Sequence, residues 1–130
     1  MEPTNRVVLD SSVILAFYNE IDRFHIEALQ IADRLEHTTS IIHPYVIQEV
    51  ATLLTYRLGI ETARQFLEDI SGSENVLVPT VDAEKDMAYF LRVNQKISFT
   101  DTALIRLAHE MDASLITFDR QMLSLWRKMK

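Results

Sequence analysis

The chain has 130 residues, of which 48% are hydrophobic, a formal net charge of −6 and no cysteine. That length suits one ordinary domain with its own core, and the apolar content excludes a disordered chain. The missing thiols exclude disulfides and thiolate metal sites and fit a reducing cytosol, while the acidic total excludes a nucleic-acid module that binds through bulk positive charge.

The opening stretch MEPTNRVVLD has no long apolar run of the signal-peptide kind, and no later segment is long and apolar enough to span a membrane, so a cytoplasmic protein without membrane contact is expected. Residues 6–10 read as a buried strand and residues 12–19 as a short apolar helix. Residues 22–37 repeat Phe24, Ala28, Ile31 and Leu35 at helical spacing. Residues 40–43 form a second apolar run. Pro44 suits the first turn of a helix reaching Arg57, with Gly59 as its stop. A helix over 60–71 ends in Ser71-Gly72-Ser73. A third strand over 76–79, helices over 81–94 and 98–111, a fourth strand over 114–118 and a last helix from Gln121 onward complete the series. With only 2 Gly and 3 Pro there is no linker and no repeat. Strands alternating with helices predict a single α/β domain over 1–130, with a mostly parallel sheet of four or five strands and helices on both faces.

Four carboxylates fall where such a fold would gather them. Asp10 ends VVLD, Glu49 lies in YVIQEVATLL, Asp101 in SFTDTALIRLAHE, and Asp119 ends LITFD. Ligands of an open parallel sheet collect beyond the carboxyl ends of its strands. Acids clustered there repel one another and call for cations, and hard oxygen ligands suit Mg²⁺ or Mn²⁺. Each acid also has a plainer reading. Asp10, with Ser11 and Ser12, can cap the next helix, and Asp119 can cap the last one. Asp101 follows Ser98 in a capping-box-like Ser-x-x-Asp, at the positive end of its helix dipole. Glu49 lies beside the apolar stripe of Val46, Ile47, Val50, Leu53 and Leu54, where a lone carboxylate is costly, so pairing with Arg57 or Arg64 is its ordinary explanation. Glu61, Glu68, Asp69, Glu84, Asp86 and Glu110 read as solvated helix faces. His25, His37, His43 and His109 show no metal-ligand spacing, and no Gly-rich phosphate loop or Gly-x-Ser-x-Gly elbow is present.

The ordered set VVLDSSVILAF, YVIQEVATLL, SFTDTALIRLAHE and LITFD resembles the PIN-domain family, especially the toxin-like ribonucleases called VapC, over nearly the whole chain. The resemblance implies a Rossmann-like PIN fold whose acidic pocket takes one or two Mg²⁺ or Mn²⁺ ions. It makes Asp10, Glu49, Asp101 and Asp119 the catalytic and metal-ligating acids, with the small hydroxyls Ser11, Thr100 and Thr117 beside them. It implies a metal-dependent endoribonuclease cleaving RNA, the toxin of a toxin–antitoxin pair, blocked by an antitoxin that delivers Arg or Lys among the acids. The alternatives are an RNA-processing nuclease of the same fold without an antitoxin, and a catalytically silent interaction module that uses the acids as caps. A receiver-like phosphoacceptor is disfavoured, because no Lys closes LITFD. Arg120, Arg57 and Arg64 are candidates for phosphate contact. Two features depart from the family pattern. The chain stops at Trp126-Arg127-Lys128-Met129-Lys130 without a further short strand, and Asp112-Ala113 stands where a Gly is common. A homodimer is expected as well, since the helices over 44–57 and 60–71 carry Ile47, Leu54, Leu58, Ile60, Phe66 and Leu67, more apolar area than one sheet face buries.

Overall fold

The computed structural model describes residues 5–129, and expectations for residues 1–4 and Lys130 lie outside it. The elements run β1 (Arg6–Leu9), α1 (Ser11–Tyr18), α2 (His25–Arg34), β2 (Thr39–Ile41), α3 (Pro44–Leu58), α4 (Ile60–Ser71), β3 (Val76–Leu77), α5 (Ala83–Val93), α6 (Phe99–Glu110), β4 (Ser114–Ile116) and α7 (Arg120–Lys128). Strand β1 is central because successive residues Val7 and Val8, which point to opposite faces, are both buried. It pairs in parallel with β2 (Val7 opposite Ser40) and with β4 (Val8 opposite Leu115), and β3 adds in parallel outside β2. The order is β3-β2-β1-β4.

The chain therefore steps outward from β1 to β3 and then returns to the far side of β1. That reversal puts a topological switch between β1 and β4, where a crevice opens at the strands' carboxyl ends. Right-handed crossovers assign α1–α4 to one face and α5–α6 to the other. The packing agrees: α1 lies against α2 and α3, α3 against α4, and α6 against α5, α7, β1 and β4. The sheet has four strands, and among the described residues none follows α7.

Every expected element is present, but the strands end earlier than their apolar runs. Asp10 already belongs to the turn into α1. Helix α2 starts at His25 and not at residue 22, because Asp22 Oδ1 accepts the Phe24 amide at 2.8 Å and holds a local turn. The missing glycine before β4 is replaced in function by Asp112, whose φ of 50° is left-handed. The Ala113 amide reaches the Ala108 carbonyl at 2.8 Å and the Asp112 amide reaches His109 at 3.3 Å, the two bonds of a Schellman ending for α6.

The core joins Val8, Ile41, Val46, Val50, Leu54, Phe66, Leu104 and Met122. Leu54 and Phe66 are thus buried within this chain, contrary to the expectation that the whole apolar set on α3 and α4 exceeds one face; Tyr56, Leu58, Ile60 and Leu67 stay exposed. Asp86 is also not the solvated residue that its polar surroundings suggest. It is 0% exposed and accepts Arg106 Nε at 2.8 Å and the Tyr45 hydroxyl at 3.1 Å. Arg106 continues to Glu110 at 2.7 Å. Beside them, buried His43 caps α3 by accepting the Tyr45 amide on Nδ1 at 3.0 Å, which requires an unprotonated Nδ1; burial lowers its pKa and outweighs the opposing charge of Asp86. This polar network clamps the start of α3 to α5 and α6.

Candidate functional site

Asp10 occupies the N-cap position of α1 yet makes no side-chain cap bond. Its carboxylate, on a residue only 5% exposed, is instead held through Oδ2 by the hydroxyls of Ser12 and Thr117, each at 2.7 Å. Both hydroxyls bind the same oxygen, so the other carboxylate oxygen can serve a ligand. The Ser12 oxygen accepts the Phe118 amide at 3.3 Å, and Thr117 accepts the Asp119 amide at 3.0 Å. These bonds tie α1 to the loop after β4, across the switch point.

Glu49 sits on α3, half-buried, and its Oε1 accepts the Ser11 hydroxyl at 3.1 Å. Its partner is therefore a hydroxyl from the opposite element, not Arg57 or Arg64. Asp119 does cap α7, its Oδ1 accepting the Met122 amide at 3.1 Å, so the plainer reading holds for that oxygen. Asp101 is half-buried in the first turn of α6, whose cap is the Ser98 hydroxyl accepting the Asp101 amide at 3.0 Å. The following run Thr102–Ile105 is wholly buried, so Asp101 is mounted on a rigid element. Thr100, also in that turn, shows no hydrogen bond to the acids among the described residues.

The electrostatics bring the four acids together. The pKa of Asp101 is pushed up to about 6, first by burial and then by the charges of Asp10, Asp119 and Glu49, with a hydrogen bond from Ser98 working against them. Three carboxylates from α3 and from the ends of β1 and β4 thus act on a fourth on α6. Among the described residues, no group of three or more His, Cys, Asp or Glu forms a ready-made metal site. The donor set is nonetheless all oxygen, with carboxylates and hydroxyls only, which suits a hard divalent cation and not a soft one. Sequence reasoning treated Ser12 as a cap alone. Its position two residues after a strand-end acid gave the available signal, because the turn that opens α1 places that hydroxyl beside the Asp10 carboxylate.

The family model for the PIN domain matches residues 7–126. Comparison with curated proteins gives no match. Among solved structures, VapC20 of Mycobacterium tuberculosis, a sarcin–ricin loop cleaving toxin, superposes with a TM-score of 0.80 at 22% identity, covering 92% of this chain and 94% of that one. FitAcB from Neisseria gonorrhoeae superposes with a TM-score of 0.65 at 13% identity, covering 93% of each chain.

Proposed function

The chain belongs to the PIN-domain family, and from that premise we propose that it is a Mg²⁺- or Mn²⁺-dependent endoribonuclease, the toxin of a toxin–antitoxin pair. PIN domains are generally nucleases. The observation that carries the reading to these residues is the hydroxyl network in which Ser11 holds Glu49, Ser12 and Thr117 hold Asp10, and Thr117 also meets the Asp119 amide, with the charges of these acids helping to raise the pKa of Asp101 beside them. Carboxylates spend stability when they crowd together without a cation, so their convergence at the switch point suits a site that works with one bound.

In this reading Asp10, Asp101, Glu49 and Asp119 hold the ion. When bound, it supplies positive charge that offsets the phosphate's and eases deprotonation of the attacking water. The rest belongs to the protein. Ser12 and Thr117 fix Oδ2 of Asp10, so that its carboxylate does not turn away to cap α1. Ser11 orients Glu49 in the same way. Asp101, mounted on buried α6, gives up its proton near neutral pH and is then ready to bind a cation. Cleavage of labelled RNA with Mn²⁺, lost with chelator and in Asp10→Asn, tests the activity; undiminished cleavage by Asp10→Asn would remove the site assignment.

The toxin role draws support from the likeness to VapC20, itself a toxin. It is tested by expressing the chain alone in a host cell. Growth arrest that depends on Asp10 and is relieved by a neighbouring reading frame is the expected result, and harmless expression of active enzyme points to RNA processing instead. We place the protein in the cytoplasm; no helix among the described residues is long and apolar enough to cross a membrane. We also propose a homodimer, on the strength of Tyr56, Ile60 and Leu67 left exposed on α3 and α4.

A further inference from the structure

A recess of about 450 Å³ opens on the face of the sheet that α1, α2 and α4 cover. It shares no residue with the acid cluster, and its volume falls among those of small-molecule sites. Leu9 of β1, Val13 and Phe17 of α1, Ile31 of α2 and Phe66 of α4 give it apolar walls.

Its free polar groups gather at one end. The Ser40 amide donates to the Asn75 carbonyl at 2.7 Å, and the Asn75 side-chain amide donates to the Glu36 carbonyl at 2.8 Å. Three lining residues, from β2, from the turn before β3 and from the segment after α2, are thereby neighbours. Each keeps an unused side-chain acceptor. The Ser40 hydroxyl, on a residue only 9% exposed, enters no hydrogen bond among the described residues, although it lines the recess. The Glu36 carboxylate is likewise without hydrogen bond or ion pair among them, and Asn75 commits its side-chain nitrogen and leaves Oδ1. The other lining carboxylate, Asp69, is engaged by the Tyr18 hydroxyl and by Gln65 Nε2 at 2.7 Å. Among the described residues no Lys, Arg or His lines the recess. Three acceptors, one of them anionic, at the end of an apolar space match a group with several N–H donors and a positive charge. A primary ammonium has three donors and no acceptor. A carboxylate would meet Glu36 with like charge.

We propose that this recess binds a small primary amine with an apolar body: the ammonium bonds to Ser40 Oγ, Asn75 Oδ1 and the Glu36 carboxylate, and the hydrocarbon fills the space between α1, α2 and α4. Helix α1 also opens with Ser11 and Ser12, which hold Glu49 and Asp10, so an occupant sits against the helix that shapes the acid cluster. The site stands apart from the nuclease reading, and its test needs no RNA. The full chain is titrated by calorimetry at neutral pH with octylamine, butylamine and octanoate. Octylamine should saturate one site per chain and bind about tenfold tighter than octanoate, the difference between attraction and repulsion at an exposed carboxylate. Each methylene between butylamine and octylamine should tighten binding about threefold. Glu36→Gln, at an exposed position, removes the charge and keeps the shape, and should cut the preference over octanoate to about twofold. Ser40→Ala should weaken octylamine about threefold through the lost hydrogen bond. No saturable binding of octylamine, equal affinity for octanoate, or octylamine binding unchanged in both variants would overturn the site.

Discussion

Asp10 and Asp119 look alike in sequence, each an acid that ends a strand and precedes a helix, yet they bond differently. Asp119 caps its helix, whereas Asp10 is gripped by Ser12 and Thr117 and leaves α1 without a side-chain cap. Asp10→Asn preserves shape but removes charge, and the loss of a ligand worth several kcal/mol should cut RNA cleavage by roughly a hundredfold or more in a metal-saturated assay. Asp101 allows a prediction about pH. Its pKa of about 6 lies above the ordinary 3.8, so the folded state holds the proton more tightly than the unfolded one. Metal-free stability should then fall as pH rises from about 4 to 6 and stay lower above that, the reverse of an ordinary paired carboxylate. Asp101→Asn should abolish this slope and stabilise the apo protein at pH 7 by about 1 kcal/mol, the shift being discounted for the solvent that reaches a half-buried group. Urea melts at pH 4, 6 and 8 decide it, and a slope that survives in the variant refutes the assignment. Asp86→Ala takes the buried acceptor from the Tyr45 hydroxyl and from Arg106 Nε, leaving Arg106 with Glu110 alone, and should cost about 3–5 kcal/mol in the same melts.

At the scale of the element, the clearest constraint is the junction of α3 and α4. Gly59 closes one helix and opens the other with φ 102° and ψ 160°, a conformation that side chains resist. A Cβ built there meets nothing within 4 Å, so the penalty for Gly59→Ala is purely a backbone one. The expected loss is about 1–3 kcal/mol in thermal or urea unfolding, and a neutral result would mean that the junction can relax to negative φ. The helix endings show the same logic from the other side. The end of α6 uses Asp112 in the left-handed region where a glycine is the easier choice, and the two Schellman bonds still form. The departure from the family pattern there changes the residue and not the route of the chain into β4, so Asp119 arrives at the crevice.

For the whole molecule, the switch between β1 and β4 is what brings acids scattered along the chain to one crevice. Since a cation bound only by the folded chain raises stability by mass action, thermal melts should shift upward with Mn²⁺, more at pH 7.5 than at pH 5.5 because protons compete at Asp101, and the shift should vanish in Asp10→Asn. A homodimer predicts a mass of twice 15.1 kDa by light scattering at micromolar concentration; a monomer would rule out the pairing. Much of this was legible in the chain itself. The periodicity of Phe24, Ala28, Ile31 and Leu35, Pro44 at a helix start and the apolar runs ahead of Asp10 and Asp119 are local signals, and local signals place elements and strand ends. They also fixed the parallel class of the sheet, because strands separated by helices have few other ways to pair. What a carboxylate bonds to is set by residues distant in sequence. Asp10 meets Thr117 across 107 positions, Glu49 meets Ser11 across 38, and Asp86 meets Arg106 across 20. Only the fold turned Asp10 from capping α1 to Ser12 and Thr117, hid Asp86 behind a polar stretch and buried Leu54 and Phe66. Burial and partnership depend on what the sheet order β3-β2-β1-β4 brings alongside, and spacing along a single helix carries no record of that.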